Sequence, residues 1–337
     1  MCVCFIEIFE EATLKKKPSA PSTRRIFTFL SQHREWLITL LGVLGLMLFI
    51  GFYDRAFPSA AIDLSLSRAE ITEQAGAYMS DLGYALDDYK YAVTFSRGGW
   101  ASYYLQRTLG IPETNRLIQE TDLPIWYWRS RWFRPLQKEA FALYLDPDGE
   151  VIGLSHVVLE DAAGASLSQE EAQVLAQTYL EDDRGWDLAD WEAVSSSSEE
   201  KPGGRVDHRF SWKQRAWDVG DSQLRLSVTV QGDEIGYYDH WLKVPESFQR
   251  RFTEKHNIAG FIDSVSYMGS IVLAGALFVL ALWKAHWQIA PSFKRALWPA
   301  LAAAVVVIAA DLNALPLAKS GYNTTQDYGL FWINRLL

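Results

Sequence analysis

The densest concentration of side chains able to do recognition chemistry is Ile125-Trp126-Tyr127-Trp128-Arg129-Ser130-Arg131-Trp132-Phe133-Arg134. Indole rings interleaved with guanidinium groups can stack on bases and hold phosphates. They can equally meet a peptide, a glycan or lipid headgroups, because Trp and Arg dominate binding hot spots and Trp favours membrane interfaces. The formal net charge of −9 opposes a nucleic-acid partner, which calls for a basic face. Trp126, Trp128, Arg129, Arg131, Trp132 and Arg134 are therefore the candidate surface for a peptide or protein ligand. The competing reading is a twisted strand whose tryptophans fill a core while its arginines snorkel or pair with acids.

Other reactive groups form no constellation. The histidines are His33, His156, His208, His240, His256 and His286, and none has close metal-ligand spacing. His156, His208 and His240 fall on expected strands, where a three-histidine site is conceivable and ordinary strand positions are the simpler reading. No nucleophile elbow, P-loop or dinucleotide turn is present. Asp87-Asp88, Asp182-Asp183 and Asp146-x-Asp148 read as helix-end and turn residues, since a calcium loop needs more oxygens at set spacing. Cys2 and Cys4 are too few for a zinc site and too near the N-terminus to staple the middle of the chain. Asn323-Thr324-Thr325 fits a glycosylation sequon. No catalytic residue, metal ligand or cofactor site is assigned to this chain.

The elements that position these residues read as a duplicated α+β domain. Ser67 with Glu70, and Ser168 with Glu171, each form a capping-box pattern ahead of a helix. Ile71, Ala75, Tyr78, Met79 and Leu82 make one apolar face, and Ala172, Leu175, Ala176, Tyr179 and Leu180 the other. Strands are expected at 89–95 and 191–196, with another at 207–212, and hairpins at 140–158 and 225–240 turn on Asp146-Pro147-Asp148-Gly149 and Gln231-Gly232-Asp233. The units run from about 66 to 160, with an insert at 97–138 holding two helices, and from about 166 to 245. The segment 195–204 reads as a mobile loop.

Apolar runs frame this domain. Residues 36–53, 264–283 and 296–315 are expected as transmembrane helices, the last carrying Asp311 and Asn313 near its outer end, where Asp311 reaches water. Lys15, Lys16, Lys17, Arg24, Arg25 and Arg34 precede the first run, and Lys284, Lys294 and Arg295 separate the other two. Positive residues stay cytoplasmic. The expectation is a multi-pass protein of the plasma (inner) membrane: a cytoplasmic tail at 1–35, an extracytoplasmic α+β domain at 54–263, an inner loop at 284–295 and an outer tail at 316–337. Ser59-Ala60-Ala61 resembles a signal-peptide cleavage site, but the long basic leader favours an uncleaved anchor.

Tyr84-Ala85-Leu86-Asp87-Asp88-Tyr89-Lys90, Tyr104-Leu105-Gln106-Arg107-Thr108-Leu109-Gly110, Trp128-Arg129-x-Arg131-Trp132-Phe133-Arg134-Pro135-Leu136-Gln137-Lys138-Glu139 and Ser227-Val228-Thr229-Val230-Gln231-Gly232-Asp233-Glu234 carry a resemblance. The stretch from about 82 to 244 resembles the N-terminal region of bacterial CPBP-type (CAAX protease and bacteriocin-processing) intramembrane metalloproteases. The duplicated units also resemble PepSY-type modules. The resemblance implies a metal-dependent endopeptidase whose Glu-Glu-x-x-x-Arg, Phe-x-x-x-His and His-x-x-x-Asn/Asp motifs lie in later membrane helices. This sequence lacks the set: Glu199-Glu200 stands one residue too far from Arg205, Phe252 to His256 lies in a charged juxtamembrane stretch, and no histidine has Asn or Asp four residues on. Zinc or another divalent metal is thus expected only in a protease part in the same or a neighbouring chain. The apolar run at 330–337 reads as a helix cut short, so the chain is expected to be the sensor or substrate-handling front of a longer protease. The alternative is a stand-alone membrane-anchored binding or protease-inhibitory module, with the lipid bilayer as its partner in either case.

Overall fold

The computed structural model describes residues 34–62, 64–121, 123–287 and 293–336. The expected cytoplasmic tail up to residue 33 and the centre of the expected inner loop, 288–292, lie outside the described residues, as do the side chains of 281–297 and of His256. Residues 1–56 and 57–337 are separate units. The first contains helix α1 (Arg34–Ala56).

Residues 57–337 open with a 3₁₀ turn, Pro58–Ala61, and α2 (Arg68–Asp81) follows. Ser67 Oγ accepts from the Glu70 amide at 3.4 Å, and the Glu70 carboxylate accepts from the Ser67 amide at 2.7 Å. Helix α2 buries Ile71, Ala75 and Met79. Strand β1 (Lys90–Arg97) leads into α3 (Gly99–Leu109) and α4 (Ile111–Glu120), followed by β2 (Trp126–Phe133), β3 (Ala140–Leu145) and β4 (Val151–Val157). The second cap repeats the first: the Glu171 amide donates to Ser168 Oγ at 3.2 Å at the start of α5 (Gln169–Thr178). Strands β5 (Trp191–Glu200), β6 (Val206–Gln214), β7 (Gln223–Gln231) and β8 (Glu234–Lys243) follow.

All eight strands form one antiparallel sheet in the order β1-β2-β3-β4-β8-β7-β6-β5. The order is that of two four-stranded meanders related by a pseudo-two-fold axis between β4 and β8. Leu154 pairs with Tyr238 across that axis. Helices α2 and α5 pack on the same face of the sheet. Tyr91 Oη bonds Thr72 Oγ1 beneath α2, and His208 Nε2 bonds the Leu167 carbonyl beside α5. The core lies between these helices and the sheet.

Two boundaries differ from the sequence reading. The insert in the first unit ends before Trp126, because 126–133 is a full strand of the repeat, paired on both sides. The segment 195–204 is no loop: Ser195 to Glu200 pair with Ser211 to Val206, and the turn back uses Gly203-Gly204. Its polar residues reflect an edge strand, where few side chains are buried and charge discourages unwanted pairing.

Two long helices follow: α6 (Glu246–Trp287) and α7 (Phe293–Ser320), then the short α8 (Tyr328–Leu336). Helix α6 starts against α3, with Phe252 stacked on Tyr103 and Phe248 edge-on to Tyr104. Among the described residues one segment, Ala300–Ser320 of α7, is long and apolar enough to cross a membrane, against the three spans expected. Among the described residues the apolar part of α1, Ile38–Tyr53, is shorter than that length. The expected span 264–283 is helical within α6, and part of it lies outside the described residues.

Removing one cap tests the local logic. Ser168→Ala is expected to lower stability by about 1 kcal/mol, and Ser67→Ala by a similar amount. Equilibrium denaturation of the detergent-solubilised chain reads both.

Candidate functional site

Strand β2 sorts its side chains by parity, since successive residues point to opposite faces of a sheet. Trp128 and Trp132 face the helices and are each 6% exposed, packed on Phe95 and Tyr91 at ring-centroid distances of 5.0 Å. Trp126 is half-buried, parallel to Phe95. Arg129 and Arg131 face the other way, on the open side of the sheet. Arg134 follows the strand, donates to Glu139 at 2.8 Å and to Tyr89 Oη at 2.7 Å, and lies over the Tyr89 ring. The six residues therefore do not share one surface: the indoles turn to the core and Arg134 is engaged in an ion pair.

Arg131 has a structural task that its sequence position does not reveal. Its Nη1 donates to the Ser320 carbonyl at 2.8 Å and to the Tyr322 carbonyl at 2.7 Å. Carbonyls at a helix C-terminus lack intrahelical partners and carry the negative end of the helix dipole. A guanidinium there neutralises both deficits at once. Around it Ala92, Phe133 and Tyr322 are buried together, with Tyr328 and Phe331 of α8 packed against them. Burial, and then the neighbouring Arg129 charge, push the Arg131 pKa down. Thus the outer strands of the first unit grip the end of α7 and the segment after it.

The rest of the open face carries several arginines. Arg129, Arg209 and Arg225 lie on it, and among the described residues none of them is in an ion pair. Arg129 leans over Tyr144 at 6.0 Å, and among the described residues its buried Nε has no hydrogen-bond partner. Tyr127 meets Tyr144 edge-on at 5.7 Å. Tyr144 also closes over Gly153, where a Cβ would stand 3.1 Å from the ring, so this glycine makes room for it. Opposite Gly153 on β8 sits Asp239, which accepts from Tyr237 Oη at 2.9 Å. Burial pushes the Asp239 carboxyl up to about 6, against the Tyr237 hydroxyl that favours its charged form. Tyr127, Tyr144, Ser155, Tyr237, Asp239 and Trp241 help line a cavity of about 370 Å³ beside the β4–β8 junction.

Sequence reasoning placed Arg129 here and missed Tyr144, Tyr237, Asp239, Arg209 and Arg225. The alternation Tyr237-x-Asp239-x-Trp241 on one face of β8 was the available signal. The strand histidines stay apart: His156 Nε2 contacts Glu139, His208 bonds Ser198 Oγ and the Leu167 carbonyl, and His240 lies between Trp186 and Trp191. Among the described residues no group of three His, Cys, Asp or Glu side chains could hold a metal ion. Asp146 is a turn residue, its carboxylate accepting from the Asp148 and Glu150 amides.

Two measurements check this geometry. Arg131→Ala removes two charge-assisted hydrogen bonds and is expected to loosen the 320–331 segment by about 2–3 kcal/mol, seen as faster amide exchange there, with partial recovery in Arg131→Lys. Asp239 gives a pH signature. Its folded pKa, about 6, stands above the ordinary aspartate value of 3.8, so the folded chain holds the extra proton between those values. Stability therefore falls as pH rises through that window, by at most about 3 kcal/mol. Asp239→Asn is expected to flatten that slope and to raise stability at pH 7 in chemical denaturation.

No protein-family model matches the chain, and no curated protein or solved structure matches it either, so the reading of this face rests on its own residues.

Proposed function

We propose that the chain is a multi-pass membrane protein that holds its eight-stranded domain outside the cytoplasm and receives an acidic peptide or protein segment on the open sheet face. We further propose that it serves as the sensor or substrate-handling front of a CPBP-type intramembrane metalloprotease, whose metal-bearing helices lie elsewhere in the same or a neighbouring chain. The observation that carries the reading is the Arg131 bridge from β2 to the carbonyl end of α7. It makes the ligand-facing sheet and the apolar helix Ala300–Ser320 one mechanical piece. A ligand that shifts the sheet would then shift the helix. Helix α6 leaves the domain and α7 returns to it, which supports an out-in-out path with the short loop on the cytoplasmic side, where Lys284, Lys294 and Arg295 belong. Arg129 and Arg209, set over Tyr144 and Tyr237, and Arg225 nearby, all in no ion pair among the described residues, favour an acidic partner.

Orientation is tested with thiol chemistry. Ser197→Cys on edge strand β5, in a Cys2→Ser/Cys4→Ser background, should react with an impermeant maleimide in intact cells. The native Cys2 and Cys4 should react only after lysis. The opposite pattern would place the domain in the cytoplasm and end the proposal. Binding is tested on an array of acidic and basic peptides. Acidic peptides should be retained, and Arg129→Ala/Tyr144→Ala should weaken them at least about tenfold. Retention without loss in that double variant would remove the open face as the site. If binding holds but no intramembrane protease co-purifies, the stand-alone binding or inhibitory module is the answer.

A further inference from the structure

The pairing registers set one row of residues side by side across the middle of the sheet. Arg129 on β2 stands opposite Tyr144 on β3, Tyr144 opposite Gly153 on β4, and Gly153 opposite Asp239 on β8. Beyond Asp239 the row continues with Ser227 on β7. Residues in one such row share a face of the sheet. Gly153 leaves a gap in the row, and the Tyr144 ring lies over that gap, between its own strand and Asp239. Tyr237 and Trp241 flank Asp239 along β8, on the same face. Tyr237 Oη donates to the Asp239 carboxylate at 2.9 Å, and Trp241 Nε1 donates to Ser227 Oγ at 3.2 Å, which fixes the indole next to the residue paired with Asp239. All four of Tyr144, Tyr237, Asp239 and Trp241 line the cavity of about 370 Å³.

The charge of this cavity has one source. Among its lining residues only Asp239 is ionised at neutral pH, since burial keeps the His240 imidazole neutral, down at about 4. Asp239 is half-buried, which leaves its carboxylate within reach of the cavity. Among the described residues it forms no ion pair, and Tyr237 Oη is its one side-chain hydrogen-bond donor. No basic group offsets its burial: the Tyr237 bond alone works against the rise to about 6. A carboxylate drawn partly out of water without a counter-ion is costly to keep ionised. The tyrosine and tryptophan rings beside it offer π faces to a cation, and the hydroxyls offer acceptors. Arg129 and Arg209 lie over Tyr144 and Tyr237, at 6.0 and 5.8 Å, and neither lines the cavity. The open face therefore has a negative centre with positive groups on both sides of it.

We infer that this cavity binds a primary ammonium group of the peptide that the open face receives, with Asp239 as its counter-ion. The inference rests on the open face being the ligand surface. The ammonium donates to the Asp239 carboxylate and to Ser155 Oγ, and the rings of Tyr144, Tyr237 and Trp241 cover the carbons that carry it. An anion is disfavoured inside the cavity by Asp239, and a bare metal ion by the absence, among the described residues, of any three-ligand group. Arg129 stands three strands away from Asp239 in the same row, about 14 Å at the usual strand spacing. An extended peptide crosses that distance in about four residues. Acidic residues close to the ammonium thus meet Arg129, and the two charges of the face select a peptide with a basic group followed by acids. The ammonium is supplied by the peptide's amino terminus or by a lysine side chain.

The test uses the full chain in detergent at pH 7.5 and reads affinity by titration calorimetry. The peptide probes are Ala-Glu-Asp-Glu-Glu-Phe with a free amino terminus, its N-acetylated form, and N-acetylated Lys-Glu-Asp-Glu-Glu-Phe. Phenethylamine and its uncharged analogue 2-phenylethanol probe the cavity without a peptide. The free-amino peptide should bind at least about tenfold more tightly than its acetylated form, the loss expected when a charge-assisted hydrogen bond disappears. Recovery in the lysine peptide names the side chain as a second source of the ammonium, and no recovery names the amino terminus. Asp239→Asn, which is expected to fold at least as stably, should erase the preference by weakening the ammonium-bearing ligands alone, phenethylamine included. Equal binding of the free and acetylated peptides, both weakened by Arg129→Ala, would overturn the ammonium site and keep the open face as the peptide surface. Phenethylamine binding that is lost in Asp239→Asn, with no peptide bound, would keep the ammonium site and remove the peptide surface. Phenethylamine that binds no better than 2-phenylethanol would overturn the site by itself.

Discussion

Three residue pairs, Gly153–Asp239, Leu154–Tyr238 and Ser155–Tyr237, join the two halves of the sheet. Every other neighbouring pair of strands is matched over six to nine residues. Sheets twist, so strands held over so short a length diverge on both sides of the contact. That divergence opens space at the centre of the domain, where a continuous ladder would leave none. Cavities consequently flank the junction on both faces, sharing Ile152, Tyr238 and His240 as lining residues. The junction survives because its centre is apolar and closed: Leu154 and Tyr238 are 2% and 1% exposed. Two stable meanders meet at a narrow, well-packed point, and functional groups gather where the pairing stops.

The second organising constraint is the period of a strand. On β2 it assigns Trp128 and Trp132 to the core and Arg129 and Arg131 to the open face. The indole burial holds the strand in register, because a slip of one residue would send rings outward and guanidiniums inward. A fixed register is what allows Arg131 to meet two carbonyls at the end of α7. Core packing on one face thus sets the aim of a charged group on the other.

Much of the architecture could be read from local chemistry. Both capping boxes, the paired units and the hairpin at Asp146–Glu150 follow from side chains that act on their own backbone, at a range of two to four residues. The tryptophan-arginine stretch was visible too, but its meaning was not. Whether Arg131 faces a ligand or a helix end depends on a segment 189 residues away. No periodicity reports a contact at that separation. Edge strand β5 failed for a related reason: Ser195–Glu200 has a loop composition, and it is a strand because β6 pairs with it. Asp239 was legible only in part, since alternation gives its face and the burial that shifts its carboxyl comes from strands of both units.

Duplication explains how one fold carries different tasks on its two halves. Register across the pseudo-two-fold axis equates Trp132 with Trp212 and Arg129 with Arg209. These pairs keep their character, a buried indole and an outward guanidinium. Arg131 is equated with Ser211, whose Oγ bonds Ser227 Oγ within the sheet. The first unit therefore binds the helix end through its open face. The histidines diverge in the other direction: the first unit gives His156 the Glu139 carboxylate, and the second withholds its equivalent from His240. A repeat alike in its core and altered at its polar positions separates what maintains the sheet from what the sheet presents, and here the first unit turns Arg131 to the end of α7 where the second has Ser211.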